Sequence, residues 1–380
     1  MKKLYWRPSR VSRSALVLVA VLSSAAALSV ESFPVERQQR NYREKLAASR
    51  LARSCMEAIK KEKLGRGLAI DREVDPAETG MIGPSITPVT ANTGYIDAKL
   101  TSTNPNFAAV VVQLLRTAGV QEGDTVAVGF SGSFPALNVA TCAAIETLRL
   151  RPIAIASVSA STWGATDVDY LWLDMERTLE RAGLVSFRSE AATRGGIDDR
   201  GVGMTKEGRA LLDAAMERSG VMNLKPSSLG DAIAKRMAFY EEKAAGRPIK
   251  AYINIGGGSA SVGTHVGKKQ FSPGLNREPP RVAGVADSVM LRFVKQEVPV
   301  IHLSRIKLLA ERFGLPLEPR TAVPVGQGKV FKRAEYNRWL ALGAALAILG
   351  AMVALLRFDL GLRLLRSGEK RPAGAPEPMV

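Results

Sequence analysis

Two long stretches without a charged residue, one near each end of the chain, constrain the architecture more than any other feature. Residues 14–30 read SALVLVAVLSSAAALSV, and residues 339–356 read WLALGAALAILGAMVALL. Seventeen helical residues rise roughly 25 Å, which is close to the ~30 Å hydrocarbon thickness of a bilayer. The sequence therefore predicts one membrane-spanning helix near each end, with a polar region between them.

Each stretch has an alternative interpretation. Three consecutive alanines at residues 25–27 are typical of a cleavage site, so residues 14–30 are either an uncleaved anchor or a signal peptide. The second stretch begins beside Tyr336 and Trp339, and such aromatics favour a membrane interface. A buried core helix is its alternative, but the uncharged run leaves no polar face for solvent.

Basic residues flank both stretches and predict the topology. Five precede the first stretch in residues 1–13, and five follow the second in residues 357–380. The positive-inside rule then places both termini in the cytoplasm and residues 31–338 outside. Four basic residues within 329–338 oppose this argument in part, so the orientation depends mainly on the first span. We expect a protein of the bacterial cytoplasmic membrane with an extracytoplasmic main domain.

The charge balance narrows the choice of partners. The chain has 53 Lys and Arg against 36 Asp and Glu, a formal net charge of +17, which suits a lipid bilayer or an anionic polymer. Its dispersed basic residues lack the interleaved aromatics of a single-strand binder, which argues against nucleic acid. Two cysteines and two histidines exclude a zinc ribbon or a disulfide framework. We predict no metal site and no cofactor.

Between the two stretches, segments typical of strands alternate with segments typical of helices. Buried strands are predicted at residues 125–130, 153–158, 249–255 and 298–302, and three of them lead through a loop into a helix. The fold class predicted is therefore α/β, with a mostly parallel sheet of Rossmann-like βα units flanked by one N-terminal and one C-terminal transmembrane helix. The predicted segments are a basic cytoplasmic N-terminus (1–13), a transmembrane anchor or signal peptide (14–30), a helical stalk (31–64), the extracytoplasmic α/β domain (65–338), a transmembrane helix (339–356) and a basic cytoplasmic tail (357–380).

Loops of small residues after the strands supply the candidate ligand-binding residues. In open α/β sheets, ligands bind beyond the C-terminal ends of the strands, where these loops would converge. Backbone N–H groups and hydroxyls there could hold a carboxylate or an anionic polymer. The loops at residues 131–133 and 256–259 both lack the spacing of a P-loop and that of G-x-G-x-x-G. The candidates are Ser131, Gly132, Ser133, Gly256, Gly257, Gly258 and Ser259.

A serine hydrolase is the alternative interpretation of the loop at residues 131–133. Residues 129–133, Gly-Phe-Ser-Gly-Ser, resemble the G-x-S-x-G nucleophile elbow, with serine in place of the last glycine. A nucleophilic serine also needs a histidine base and an acid that orients it. Small residues that merely permit tight turns are the plainer explanation. The candidate catalytic residues are Ser131 or Ser133, His265 or His302, and Asp167 or Asp169.

Four segments resemble the bacterial poly-gamma-glutamate system protein family: NTGYIDAKLTSTNPNFAAVVVQLL, GDTVAVGFSGSFPALNVA, WGATDVDYLWLDME and INIGGGSASVG. The resemblance spans most of residues 85–263 and implies a membrane-anchored accessory component of poly-γ-glutamate synthesis and export. It further implies other membrane subunits and the polymer as partners, and it supplies no catalytic residue. We therefore expect polymer handling without catalysis. The alternative is an envelope serine hydrolase acting on γ-glutamyl or related amide bonds.

Overall fold

The computed structural model describes residues 13–263, 270–282 and 284–357. His265 and most of the predicted basic ends lie outside these residues. The chain forms two compact units. One contains the described residues up to Arg37 together with those from Lys332 onward, and the other is Gln38–Phe331.

Strands and helices alternate along the described chain. The strands are β1 (Val35–Gln38), β2 (Thr90–Asn92), β3 (Thr125–Ser131), β4 (Arg151–Ser157), β5 (Ala160–Ser161), β6 (Ala191–Thr193), β7 (Met222–Asn223), β8 (Ile249–Ile255), β9 (Gly274–Asn276), β10 (Val300–Leu303) and β11 (Lys332–Glu335). The helices are α1 (Arg13–Ser32), α2 (Tyr42–Gly65), α3 (Ile96–Ser102), α4 (Phe107–Ala118), α5 (Pro135–Thr147), α6 (Trp172–Arg181), α7 (Lys206–Ser219), α8 (Leu229–Ala244), α9 (Ser259–Val262), α10 (Val289–Lys295), α11 (Ile306–Phe313) and α12 (Arg338–Arg357).

A seven-stranded sheet with the order β7-β6-β4-β3-β8-β10-β9 forms the centre of the larger unit. Only β9 runs antiparallel to its neighbour; the other neighbouring pairs in this sheet are parallel. All seven residues of β3 are buried, as expected for a central parallel strand covered on both faces. The prediction of an α/β fold with a mostly parallel sheet is confirmed.

Alternate strand residues point to opposite sides of the sheet, so both faces carry apolar side chains. Helices cover both faces. On one face, Val126, Val128 and Phe130 of β3 lie in the core cluster that also contains residues of α2, α4, α5 and α6. On the other face, Ala127 of β3 and Tyr252 of β8 lie in a second cluster with residues of α8, α9 and α10. The sheet therefore separates two hydrophobic cores.

Helix α2 corrects the prediction of a stalk at residues 31–64. Its charged residues suggested a free-standing helix, but Ala48, Ala52, Cys55 and Ile59 form a fully buried face. This face belongs to the first core, and α2 packs against α4 and α5. Most of the predicted stalk is therefore part of the α/β unit, which begins at Gln38 rather than at residue 65.

The smaller unit contains the two apolar terminal helices. Helices α1 and α12 pack against each other, and β1 and β11 form a two-stranded sheet. Among the described helices, α12 is the one long and apolar enough to cross a membrane, over Arg338–Leu355, by length and composition alone; none of this window is buried. The apolar part of α1, Leu16–Ser32, is shorter, so the first span stays a prediction.

Candidate functional site

Strand order reverses between β3 and β8, and the two candidate ligand-binding loops follow these strands. From β3 the chain builds β4, β6 and β7 on one side, and it then returns to form β8 on the other side. Such a switch point opens a crevice at the C-terminal ends of the strands. A Cβ added to Gly256 would lie 3.7 Å from the Ser131 hydroxyl oxygen, so the structure brings the loops after β3 and β8 together.

Backbone N–H groups of the β3–α5 loop are already engaged inside the protein. Gly132 N–H donates to the Ser157 carbonyl at 2.9 Å, and Phe134 N–H donates to the Ser131 carbonyl at 3.2 Å. Ser133 N–H donates to the Ser131 hydroxyl at 3.2 Å. A cradle or oxyanion hole made of these N–H groups would first have to release these bonds. While these hydrogen bonds are intact, side chains rather than backbone N–H groups would have to bind a ligand here.

Gly132 is required by close packing. A Cβ at this position would lie 2.6 Å from the Val158 carbonyl oxygen and 2.9 Å from that of Ser159. Real Cβ atoms do not approach a backbone oxygen so closely, so any larger residue would push the β3–α5 loop away from the segment after β4. The small residues of this loop therefore serve the contact between two chain segments.

Neither serine of this loop adopts the strained geometry of a nucleophile elbow. Ser131 ends β3 and is 7% exposed, and neither Ser131 nor Ser133 has a positive φ. The Ser133 hydroxyl accepts the backbone N–H of Ser161 at 2.9 Å. The Ser131 hydroxyl thus accepts a bond within the loop and the Ser133 hydroxyl accepts one from the segment after β4, whereas an elbow serine stands exposed above its sheet.

His302 is buried on β10 and is not arranged as a base for either serine. Its Nδ1 lies 2.9 Å from Asn254 Nδ2, and the same amide nitrogen donates to the Gly256 carbonyl at 2.9 Å. Because an amide nitrogen only donates, Nδ1 accepts, and a neutral ring carries its proton on Nε2. That Nε2 cannot take a proton from serine. Strand β10 is also two strands from β3, roughly 10 Å away.

Asp167 and Asp169 connect their loop to α2. The Asp167 carboxylate lies 2.8 Å from Nζ of Lys63, whose side chain is 2% exposed. The Asp169 carbonyl accepts a hydrogen bond from Arg66 at 3.1 Å. Within the described ranges, no group of three or more His, Cys, Asp or Glu residues could hold a metal ion. These aspartates therefore fasten the loop before α6, which begins at Trp172.

Lys99 is a site residue that sequence reasoning missed. It lies on α3 and is 1% exposed, with its Nζ 2.8 Å from the Ser161 hydroxyl and 4.3 Å from the centre of the Phe134 ring. It also donates to the Ser133 carbonyl. The sequence around it, rich in Thr, Ser and Asn, reads as a loop, and no signal in that stretch distinguishes Lys99 from other lysines.

A buried ion pair, Arg236 with Asp199, is the second feature missed. Arg236 Nε lies 2.7 Å from Asp199 Oδ2, and their side chains are 1% and 2% exposed. Asp199 Oδ1 also accepts the hydroxyls of Thr193 at 2.8 Å and Ser157 at 3.2 Å. Burial alone would lower the pKa of Arg236, but the adjacent carboxylate outweighs it and raises that pKa. The pair holds the loop after β6 against the C-terminal ends of β4 and β6.

That loop carries several left-handed residues, which explains its sequence Arg-Gly-Gly-Ile-Asp-Asp-Arg-Gly-Val-Gly at 194–203. Asp199 has φ of 60°, and Gly195 and Gly196 have φ of 76° and 70°. A Cβ on Gly195 would also lie 2.7 Å from the Ser159 hydroxyl. Ser259, in the loop after β8, donates its hydroxyl to the Gly196 carbonyl at 3.0 Å. The loops after β6 and β8 are thus joined over the crevice.

The four segments of distinctive sequence meet around Ser133. Lys99 comes from the first, Ser133 and Phe134 from the second, and Gly164 from the third; a Cβ on Gly164 would lie 3.0 Å from the Ser133 Cα. Gly256 comes from the fourth, and its Cβ would lie 3.4 Å from the Phe134 ring. We call this place the Ser133 junction: Lys99, Ser133, Phe134, Ser161, Gly164 and Gly256.

No protein-family model matches this chain, and no curated protein or solved structure among those compared with it does.

Proposed function

We propose that this protein is a membrane-held accessory component of poly-γ-glutamate synthesis and export that binds the polymer's carboxylates at the Ser133 junction. The observation that carries the proposal is the meeting of all four resembling segments around one buried lysine, Lys99. Segments that serve only the fold need not place their polar residues together at the switch point of the sheet.

Charge supports a carboxylate as the ligand. Poly-γ-glutamate carries one carboxylate on every residue, and the chain has a formal net charge of +17. At the junction, Nζ of Lys99 donates to the Ser161 hydroxyl and to the Ser133 carbonyl. A carboxylate in contact with this ammonium would add the attraction between opposite charges, and hydrogen bonds between two charged groups are among the strong ones in proteins.

The apolar helix α12 supports the membrane part of the proposal. A polymer-binding unit tethered beside a synthesis complex meets the growing chain at a high effective concentration. Other membrane subunits of that complex are the partners expected on the side of the lipid bilayer.

Salt dependence tests the proposal. The full chain in detergent should bind poly-γ-glutamate at low ionic strength and lose affinity as salt rises, because the Debye length falls from ~10 Å at 0.1 M to ~3 Å at 1 M. Neutral dextran of similar length is the control polymer and should not bind. Absence of binding at low salt, or equal binding of dextran, would refute the proposal.

A second candidate function is acyl transfer at Ser161, favoured by the 2.8 Å contact between its hydroxyl and Lys99 Nζ. Serine–lysine pairs catalyse hydrolysis in other folds. The Ser161 oxygen would attack an amide carbonyl while its proton passes to a neutral Lys99 amine. That proton would then move to the leaving amine, and water would hydrolyse the resulting ester.

Covalent labelling separates this candidate from polymer binding. A fluorophosphonate probe that labels the wild type and the Ser131→Ala and Ser133→Ala variants, but not Ser161→Ala, would establish the serine-type enzyme. We expect no labelling of Ser161, because polymer binding requires no nucleophilic hydroxyl.

A further inference from the structure

A shallow groove of about 670 Å³ lies beside the start of α12 in the smaller unit. It is lined by Pro34, Arg333, Ala334, Glu335, Tyr336 and Arg338. We call it the basic groove. Two of its lining residues are arginines and one, Glu335, is a carboxylate.

Positive charge exceeds negative charge around the basic groove. Glu335 lies 3.7 Å from Nε of Arg37 and 3.9 Å from Nη2 of Arg338, beyond direct hydrogen-bond distance in both cases. Arg333 is exposed and makes no ion pair within the described part of the chain. Two guanidinium groups therefore share the Glu335 carboxylate, and that of Arg333 adds a third positive charge, which leaves a local positive excess suited to an anion.

The position of the groove indicates which anion. Helix α12 begins at Arg338, where the apolar window that could cross a membrane also begins. Tyr336 and Trp339 are 61% and 80% exposed beside it, as interfacial aromatics are at the level of lipid headgroups. Arginine binds phosphate oxygens through two parallel N–H donors, so a phosphate placed at this depth matches the groove.

We infer that the basic groove binds the phosphate of an anionic phospholipid headgroup. Arg333 and Arg338 are the direct contacts, and Tyr336 lies at the edge of the acyl region. The inference rests on the proposed function in one respect only, namely that α12 enters the bilayer. It adds that the protein selects among lipids by charge at this boundary.

Lipid retention by the full chain tests the inference. The protein is reconstituted into vesicles of phosphatidylcholine with a minor fraction of phosphatidylglycerol, and the lipids retained after mild detergent extraction are counted by native mass spectrometry. Each basic residue near a membrane surface changes anionic-lipid affinity by about fivefold. Arg333→Gln with Arg338→Gln should therefore lower the preference for phosphatidylglycerol by about 25-fold.

A charge-matched control uses Arg200→Gln with Arg320→Gln, two exposed arginines of the larger unit. This variant should keep the wild-type lipid preference. Insertion without any preference for phosphatidylglycerol, or an equal loss in both variants, would overturn the inference while leaving membrane anchoring intact. Failure of the wild-type protein to insert into these vesicles would instead overturn the anchoring. Loss of the retained lipid on adding inorganic phosphate would identify a free anion as the ligand and also contradict the inference.

Discussion

Several ionisable side chains of the larger unit are almost completely removed from solvent. Lys99 and Arg236 lie near the candidate site, whereas Lys45 and Glu176 lie within the helical layer that covers the first face of the sheet. A buried charge destabilises a fold unless hydrogen bonds or an opposite charge compensate it. The pairing of each residue therefore decides whether its replacement stabilises or destabilises the protein.

Glu176 should make stability depend on pH. It is 4% exposed, and burial raises its pKa to about 7, against the opposing hydrogen bonds from Ser189. The folded protein therefore binds a proton more tightly than the unfolded chain, and this contribution to stability is lost as pH rises from about 4.5 to 7. Glu176→Gln should stabilise the protein by about 2 kcal/mol at pH 8, and by much less at pH 5.

Thermal unfolding followed by tryptophan fluorescence at the two pH values measures this difference. Glu207→Gln, at an exposed position of α7, is the control and should behave like the wild type at both. An effect of Glu176→Gln that is the same at pH 5 and pH 8 would contradict a raised pKa for this carboxyl.

Lys45 should make stability rise with pH, whereas Glu176 should make it fall. It is fully buried on α2 with its Nζ 2.9 Å from the Val330 carbonyl, and burial lowers its pKa to about 8, partly offset by Glu44. The unfolded chain holds the proton more tightly, so stability rises as pH increases from about 8 to 10.5. Lys45→Met should stabilise the protein by about 1–3 kcal/mol at pH 7 and remove this rise. Urea unfolding at pH 7 and pH 10 checks it; an unchanged pH profile would show that Lys45 is not the group responsible.

At the scale of elements, long apolar patterns predicted the fold and short elements escaped prediction. Residues 125–130, 153–158 and 249–255 are mostly apolar, and they match β3, β4 and β8. Strands β6, β7 and β9 have only two or three residues, too few for any period to show. Helix α2 was predicted as a helix but misplaced, because its buried face mixes small and polar residues such as Ala48, Ser49 and Lys63 with apolar ones, and a hydrophobicity pattern barely records such a face.

The candidate site was predictable only in part, because some of its residues are brought together by contacts between distant parts of the chain. The loops after β3 and β8 could be located from the strands that they follow. Lys99 and the Arg236–Asp199 pair depend on tertiary contacts between residues 34 to 62 positions apart, which no local pattern encodes. The order of serine, aspartate and histidine along the chain likewise does not fix the distances between them, and His265 lies outside the described residues.

Arg236 and Asp199 should stabilise the loop after β6 through their interaction with each other. Removing one partner leaves the other charge buried and unpaired, so Arg236→Met should cost about 3–5 kcal/mol. The double variant Arg236→Met with Asp199→Leu should recover much of that loss, because both charges are then gone. Urea unfolding of the two variants and of Asp199→Leu completes a double-mutant cycle. Additive effects would show that the two side chains do not interact.

At the scale of the whole molecule, the proposed topology places both termini in the cytoplasm and the larger unit outside. Burial raises the pKa of Cys55 to about 12 and that of Cys142 well above its usual value, so neither thiol should react in the folded protein. An impermeant maleimide should therefore report only introduced cysteines. In intact cells it should label Ser85→Cys, an exposed position, and should not label Gly374→Cys until the cells are broken. The reverse pattern would invert the topology.

Binding of poly-γ-glutamate by Lys99 variants tests the central claim most directly. The full chain with Lys99→Met is compared by equilibrium titration with Lys206→Met, a charge-matched change at an exposed lysine of α7, after circular dichroism shows that both variants are folded. Loss of a charge-assisted contact of about 1.5–3 kcal/mol should weaken binding by Lys99→Met at least about tenfold, with Lys206→Met close to wild type. Equal affinities of the two variants would contradict polymer binding at the Ser133 junction.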